Sequence, residues 1–183
     1  MTPVSLSYQE KTIQEMWEWY DYQAMILGGE KTRVLAGLRF DSLPSDSRFF
    51  GLAYDDVEEF FDRQHNELEY LAMLSLLAAT EAAIRVDFIV RVQNRGKDPV
   101  SRRFREISRR RPEDKIRLEE DILEPWKDLV STTKRPIGDF KGALKLRHWL
   151  AHGRYWKAKL GRTYSPGDVY DISAGLLQTL GLL

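Results

Sequence analysis

Apolar positions along the first third of the chain recur at helical spacing. Ile13, Met16, Trp17 and Tyr20 fall three and four residues apart, which predicts a helix over Tyr8 to Met25. Gly28-Gly29 is expected to end it. Thr32 to Phe40 reads as a second short helix or an extended piece, and Asp41 to Ser47, with Pro44, as a loop. Asp55 is a good N-cap, with Glu58 and Glu59 close behind it. From there Phe60, Phe61, Leu68, Leu71, Leu74, Leu77, Ala78, Ile84, Phe88 and Val92 carry one helical pattern to about Asn94. Some 40 residues would span roughly 60 Å if continuous. A break inside is therefore expected, although no Gly or Pro marks one.

Gly96 to Pro99 is a stop signal. The basic stretch Ser101 to Arg111 reads as a short helix or a loop. A helical run follows from Pro112 or Glu113 through Ile116, Ile122, Leu123 and Trp126 to Leu129, broken at Thr132 to Pro136. Ile137 to about Gly153 is the next predicted helix, with Phe140, Leu144 and Leu146 as apolar positions. Ser165 caps a last helix with Pro166 at its first position and Asp168 in its first turn. Strand-type alternation appears nowhere at length, so the pattern predicts an all-α fold, a bundle of long antiparallel helices.

At 183 residues the chain fits one domain that buries a core without covalent or metal staples. It contains no cysteine, which excludes thiolate chemistry and Cys-ligated zinc. The longest apolar stretch, Leu71 to Thr80, is far short of the roughly 20 residues a membrane span needs, and Glu81 and Arg85 follow it. The N-terminal MTPVSLSYQEK lacks the basic flank and apolar run of a signal peptide, so a cytoplasmic protein is expected.

Net charge is zero, which speaks mildly against a nucleic-acid binder. The distribution changes that picture. Asp55 to Tyr70 holds seven acidic residues and one basic; Arg85 to Arg117 holds twelve basic and five acidic; Lys134 to Arg162 holds nine basic and one acidic. An acidic first half and a basic second half say more than the sum.

Candidate chemistry concentrates in Lys145 to Trp156, KLRHWLAHGRYW. On a regular helix Arg147 and His152 are offset by about 140°, whereas His148 and His152, four apart, share a face. An arginine is long enough to reach round that offset, and Gly153 can loosen the turn beside His152. Leu146-Arg147 with Ala151-His152-Gly153 resembles the HEPN superfamily, whose ribonuclease members carry Arg, four to six residues, then His. A polar residue often follows the Arg, here His148. Glu81 and Arg85, four apart in LLAATEAAIRVDF, resemble the Glu and basic residue that several HEPN groups carry on an early helix near the cleft. The resemblance covers about Asp55 to Leu177. It implies a HEPN-type bundle over residues 51–183, with residues 1–50 as an N-terminal extension of one or more helices packed on it. It also implies a homodimer in which two Arg–His pairs face each other, and metal-independent RNA cleavage to a 2′,3′-cyclic phosphate and a 5′-hydroxyl. Toxin or phage-defence roles, and an antitoxin or regulatory partner, are implied in the same way.

The residue types suit that chemistry. A histidine can carry a proton near neutral pH, and an arginine offers phosphate a charged planar fork. On this reading His152 is the acid/base, Arg147 clamps the phosphate and His148 assists. Glu81 and Arg85 line the cleft. Arg102, Arg103, Arg109, Arg110 and Arg154 are candidate contacts to RNA backbone. No cofactor or metal is called for.

Simpler readings stand beside each of these. His152 is well placed as a capping histidine at a helix C-terminus. Arg147 is a ready salt-bridge partner for Glu81, and Glu81–Arg85 an ordinary helical ion pair. The arginine run suits a solvated face, and His65 the surface of an acidic helix. Trp149 is expected to pack, while Tyr155 or Trp156 can either pack or stack a base. His148 and His152 have metal-ligand spacing, but no Asp or Glu lies between Phe140 and Gly167. The chain has no Gly-rich phosphate loop and no nucleophile elbow. The alternative function is a non-catalytic HEPN module that binds RNA, a nucleotide or a protein.

Overall fold

A computed structural model describes Ser7 and residues 9–183 of the chain. Tyr8, where the first helix is expected to begin, and residues 1–6 of the expected leaderless N-terminus lie outside the described residues. The described chain is all-helical: α1 (Ile13–Arg39), α2 (Tyr54–Gln93), α3 (Pro99–Arg110), α4 (Glu124–Leu129), α5 (Lys134–Ala151) and α6 (Pro166–Leu180). None of these helices is long and apolar enough to cross a membrane.

α1 starts where Thr12 caps the backbone of Glu15, whose carboxylate returns a bond to Thr12. It does not stop at Gly28-Gly29 but runs to Arg39. Both glycines face open space, so they weaken the helix by about 1 kcal/mol each without breaking it. Packing further along outweighs that. Ile13 enters the main core, and Val34 joins Phe49, Val57 and Phe61 in a second apolar cluster. Lys31 of α1 pairs with Asp62 of α2, fixing the two helices antiparallel.

The expected break in α2 is absent. The helix is continuous over 40 residues, capped at Ala53 rather than Asp55, which sits in its first turn. Both ends have partners: the second cluster holds Val57 and Phe61, and the main core holds Met73, Leu76, Leu77, Ile84 and Phe88. The remaining helices pack around this spine. α3 returns antiparallel, with Phe88 against Phe104 and Arg91 reaching Ser101. α5 also runs antiparallel to α2, as Arg147 pairs with Glu81 and Arg154 with Glu67. α6 begins at Ser165 with the reciprocal Ser165–Asp168 cap expected from the sequence.

The basic stretch after Gly96 is helical, with Asp98 capping Ser101. The predicted run to Leu129 is less regular. A 3-10 turn at Glu113–Lys115 is followed by a π-helical turn, Leu118–Leu123, which passes into α4. Pro125 has no N–H to give, and the Glu124 N–H reaches back five residues to the Glu119 carbonyl. Asp121 accepts from the Arg117 backbone and from Arg111, tying that turn down.

Phe104 is fully buried between Phe88 and Trp126. Phe104→Ala should cost about 3–5 kcal/mol, measured as a lower midpoint in urea. Burial raises the Asp87 carboxyl above the usual carboxylate range, against the opposing pull of Arg91. The folded chain thus holds this proton more tightly than the unfolded chain. The group's contribution to stability is full below about pH 3.9, the unfolded value, and is lost as pH rises through its folded value. Asp87→Asn should flatten that part of the stability-versus-pH curve.

Candidate functional site

α5 divides its residues among three sides. Ile137, Phe140, Ala143 and Leu146 are buried against the core. Arg147 lies on the side toward α2. Lys141, Lys145, His148 and His152 follow one another at helical spacing on the outer side. The helix closes with a left-handed turn at Gly153 (φ 78°). The Gly153 N–H donates to the Leu150 carbonyl and the Arg154 N–H to the Trp149 carbonyl, a Schellman closure that places His152 at the cap. Arg154 also has a left-handed backbone (φ 59°). It is held there by two 2.8 Å bonds to the Glu67 carboxylate, with its guanidinium 4.8 Å over the Tyr70 ring. Arg154 is therefore committed to α2.

His148 and His152 are both exposed, with ring centroids 4.3 Å apart. The Trp156 ring stands 5.7 Å from His148 and 6.4 Å from His152. Trp149 donates its indole N–H to the Trp156 carbonyl at 2.8 Å, anchoring the chain that follows the helix. Tyr155 projects into solvent at 84% exposure beside this cluster. Trp149 itself packs against Tyr70.

Arg147 points elsewhere. Its Nη2 lies 3.1 Å from one oxygen of Glu81, whose other oxygen accepts from Arg85 Nε at 2.9 Å. Arg85 also donates to the Ile116 carbonyl at 3.2 Å. One carboxylate thus holds two guanidiniums. Glu81 is 16% exposed and Arg147 40%, so an outer part of the guanidinium meets solvent. Arg147 Nε is buried with no hydrogen-bond partner among the described residues. The structure brings together Arg147, Glu81 and Arg85 on one side, and His148 and His152 on the next. No hydrogen bond among the described residues joins Arg147 to either imidazole; rather than reaching round to His152, its guanidinium turns to Glu81.

The α3 arginines are separate from both groups. Arg103 pairs with Glu106, while Arg102, Arg109 and Arg110 are exposed on a helix that packs on α2 and α4. His65 is exposed beside Glu69. No cluster of three or more His, Asp or Glu among the described residues is placed to hold a metal ion.

A groove that the sequence does not announce runs along the outer side of α5. It measures about 820 Å³ and is walled by Lys141, Lys145 and His148 and, opposite, by Trp156, Lys157 and Lys159. Lys141 is bound to Glu124 at 2.8 Å and to Glu119 at 3.2 Å, and these bonds raise its pKa. Lys145, Lys157 and Lys159 are exposed and form no ion pair among the described residues. The available signal is the spacing of 141, 145, 148 and 152, which places three of these four side chains on the groove wall.

The chain matches no known family, and neither the characterised proteins nor the solved structures include one similar to it.

Removing Glu81 would leave Arg85 and Arg147 facing each other without their shared counter-charge. Glu81→Ala should destabilise the fold by about 1–3 kcal/mol, more than Arg85→Ala, as urea unfolding of the two variants would show.

Proposed function

We propose that this protein is an endoribonuclease of the HEPN type, acting without a metal and as a symmetric pair of chains. The observation that carries this reading is the exposed pair of imidazoles, 4.3 Å apart on the closing turn of α5, next to an arginine fixed by a carboxylate on the neighbouring helix. Two adjacent imidazoles can divide the work of taking and returning a proton. A partly exposed guanidinium can bind the non-bridging oxygens of a phosphate.

In the reaction, His152 takes the proton of a 2′-hydroxyl, and the freed oxygen attacks the adjacent phosphorus. The P–O2′ bond forms as the P–O5′ bond breaks. The departing O5′ gains a proton from an imidazole, either His148 or a histidine of the second chain. The products are a 2′,3′-cyclic phosphate and a 5′-hydroxyl, with no water consumed in this step. Arg147 neutralises charge on the phosphorane. Because Arg147 and His152 open onto different sides of one helix, a single chain does not aim both at one phosphate, and a second chain supplies the missing partner. The exposed apolar side chains Trp19, Ile26 and Leu71, close to the Glu67 that binds Arg154, support such pairing.

The engagement of Arg147 by Glu81 favours a second reading, a module that binds RNA, a nucleotide or a protein without cutting. Incubation of the purified chain with single-stranded RNA separates the two. Cleavage with cyclic-phosphate ends, unaffected by EDTA, is expected. His152→Ala and Arg147→Ala should each lower the rate by about 10²–10⁴-fold. If cleavage is unchanged in both variants, the nuclease assignment is wrong.

A further inference from the structure

The groove on the outer side of α5 is lined by His148, whose ring lies 4.3 Å from that of His152, and it carries more positive charge than its surroundings neutralise. We propose that it is the track for an unpaired RNA strand entering the site, and that the substrate class is single-stranded rather than duplex RNA. This rests on the nuclease reading above for the fate of the strand, though not for its binding.

Three observations support it. First, Lys145, Lys157 and Lys159 have no carboxylate partner among the described residues, and the sequence places no Asp or Glu between Asp139 and Asp168. Glu119, which also lines the groove, is engaged by Lys141 at 3.2 Å, so the three lysines leave the groove net positive. Second, the chain after the helix alternates strictly: Trp156, Ala158 and Leu160 are half-buried, while Tyr155, Lys157 and Lys159 are exposed. Lys157 and Lys159 thus present exposed charge two residues apart along one wall of the groove. Lys145 supplies the facing wall. Third, Trp156 lines the groove beside His148. An aromatic set among lysines is the recurring arrangement for single strands, in which a base stacks while cations follow the backbone.

The size and the chemistry select the same class. At about 820 Å³ the groove is on the scale of pockets that enclose a small ligand, room for a nucleotide or two of a single strand to settle between its walls. Attack by a 2′-oxygen needs that oxygen in line with the departing O5′. A strand free to rotate reaches this geometry; an A-form helix does not.

The test uses the full chain carrying His152→Ala, to prevent turnover, and a labelled 12-nucleotide RNA, either single-stranded or as a duplex, followed by fluorescence anisotropy over a salt series. With three phosphates neutralised, removing the lysines should flatten the log–log salt dependence by about 2, at about 0.7 per phosphate on a single strand. The triple variant Lys145→Ala, Lys157→Ala, Lys159→Ala should also bind at least about tenfold more weakly at low salt. The charge-keeping triple variant Lys145→Arg, Lys157→Arg, Lys159→Arg should keep the slope. Trp156→Leu should weaken binding by about 5- to 150-fold without changing the slope, and the duplex should bind at least several-fold more weakly than the strand. An unchanged slope in the triple alanine variant, a duplex bound as tightly as the strand, or poly-glutamate competing as well as RNA would each overturn the proposal; the last would mark a surface for acidic proteins. If the unmodified chain cuts RNA through Arg147 and His152 while the triple alanine variant keeps its KM, the groove proposal fails and the nuclease reading stands. If the strand binds in a lysine-dependent way but the unmodified chain does not cleave it, the groove proposal stands and the nuclease reading fails.

Discussion

The fold depends on one uninterrupted helix. α2 gives every other long helix its partner, and it stays continuous because apolar contacts cover it in two places. Near the middle of its apolar stretch sits Glu81, a carboxylate with little access to water. Such a group persists only if cations meet it. Arg85 approaches from the same helix and Arg147 from α5. With Glu67, which binds Arg154 further along, Glu81 ties α5 to α2 beside the buried stripe of Ile137, Phe140, Ala143 and Leu146, which faces the core.

Much of this architecture is visible in the residues because it rests on periodicity. The Ser165–Asp168 cap and the buried stripe of α5 are local features, and local rules suffice for them. Expectation and structure part where distant packing overrides a local signal. Gly28-Gly29 looks like a terminator, but Val34 and Leu35 beyond it pack on the second cluster and carry α1 onward. A break in α2 is expected on length alone, yet helix length has no upper bound when neighbours bury both ends. The π-helical turn before Pro125 depends on how α4 docks, through Trp126 and Asp121, and no sequence rule announces it.

The candidate site is legible to a similar degree. Spacing places His148 beside His152, and the chain does so. Arg147 is expected to reach round the helix to His152, but the carboxylate of Glu81 holds it on the α2 side. The Glu81–Arg147 bridge is foreseeable as an ion pair, since Glu81 interrupts an apolar run and Arg147 is a ready partner for it. The lysine groove is harder to see. Half of it comes from the segment after the helix, and an irregular chain acquires a face only when something anchors it, here the bond from Trp149 to the Trp156 carbonyl.

The charge asymmetry of the chain then acquires a structural meaning. The acidic half of α2 consumes part of the basic charge of the second half, through Glu67 with Arg154 and Glu81 with Arg147. Among the described residues of α5 and the segment after it, Lys145, Lys157 and Lys159 form no ion pair and line one groove on the outer side. For Arg147 to bind a phosphate, Glu81 must share it, and it can do so at modest cost because Arg85 remains as its counter-ion. The carboxylate that ties α5 to α2 thus also sets how readily the arginine can serve a phosphate.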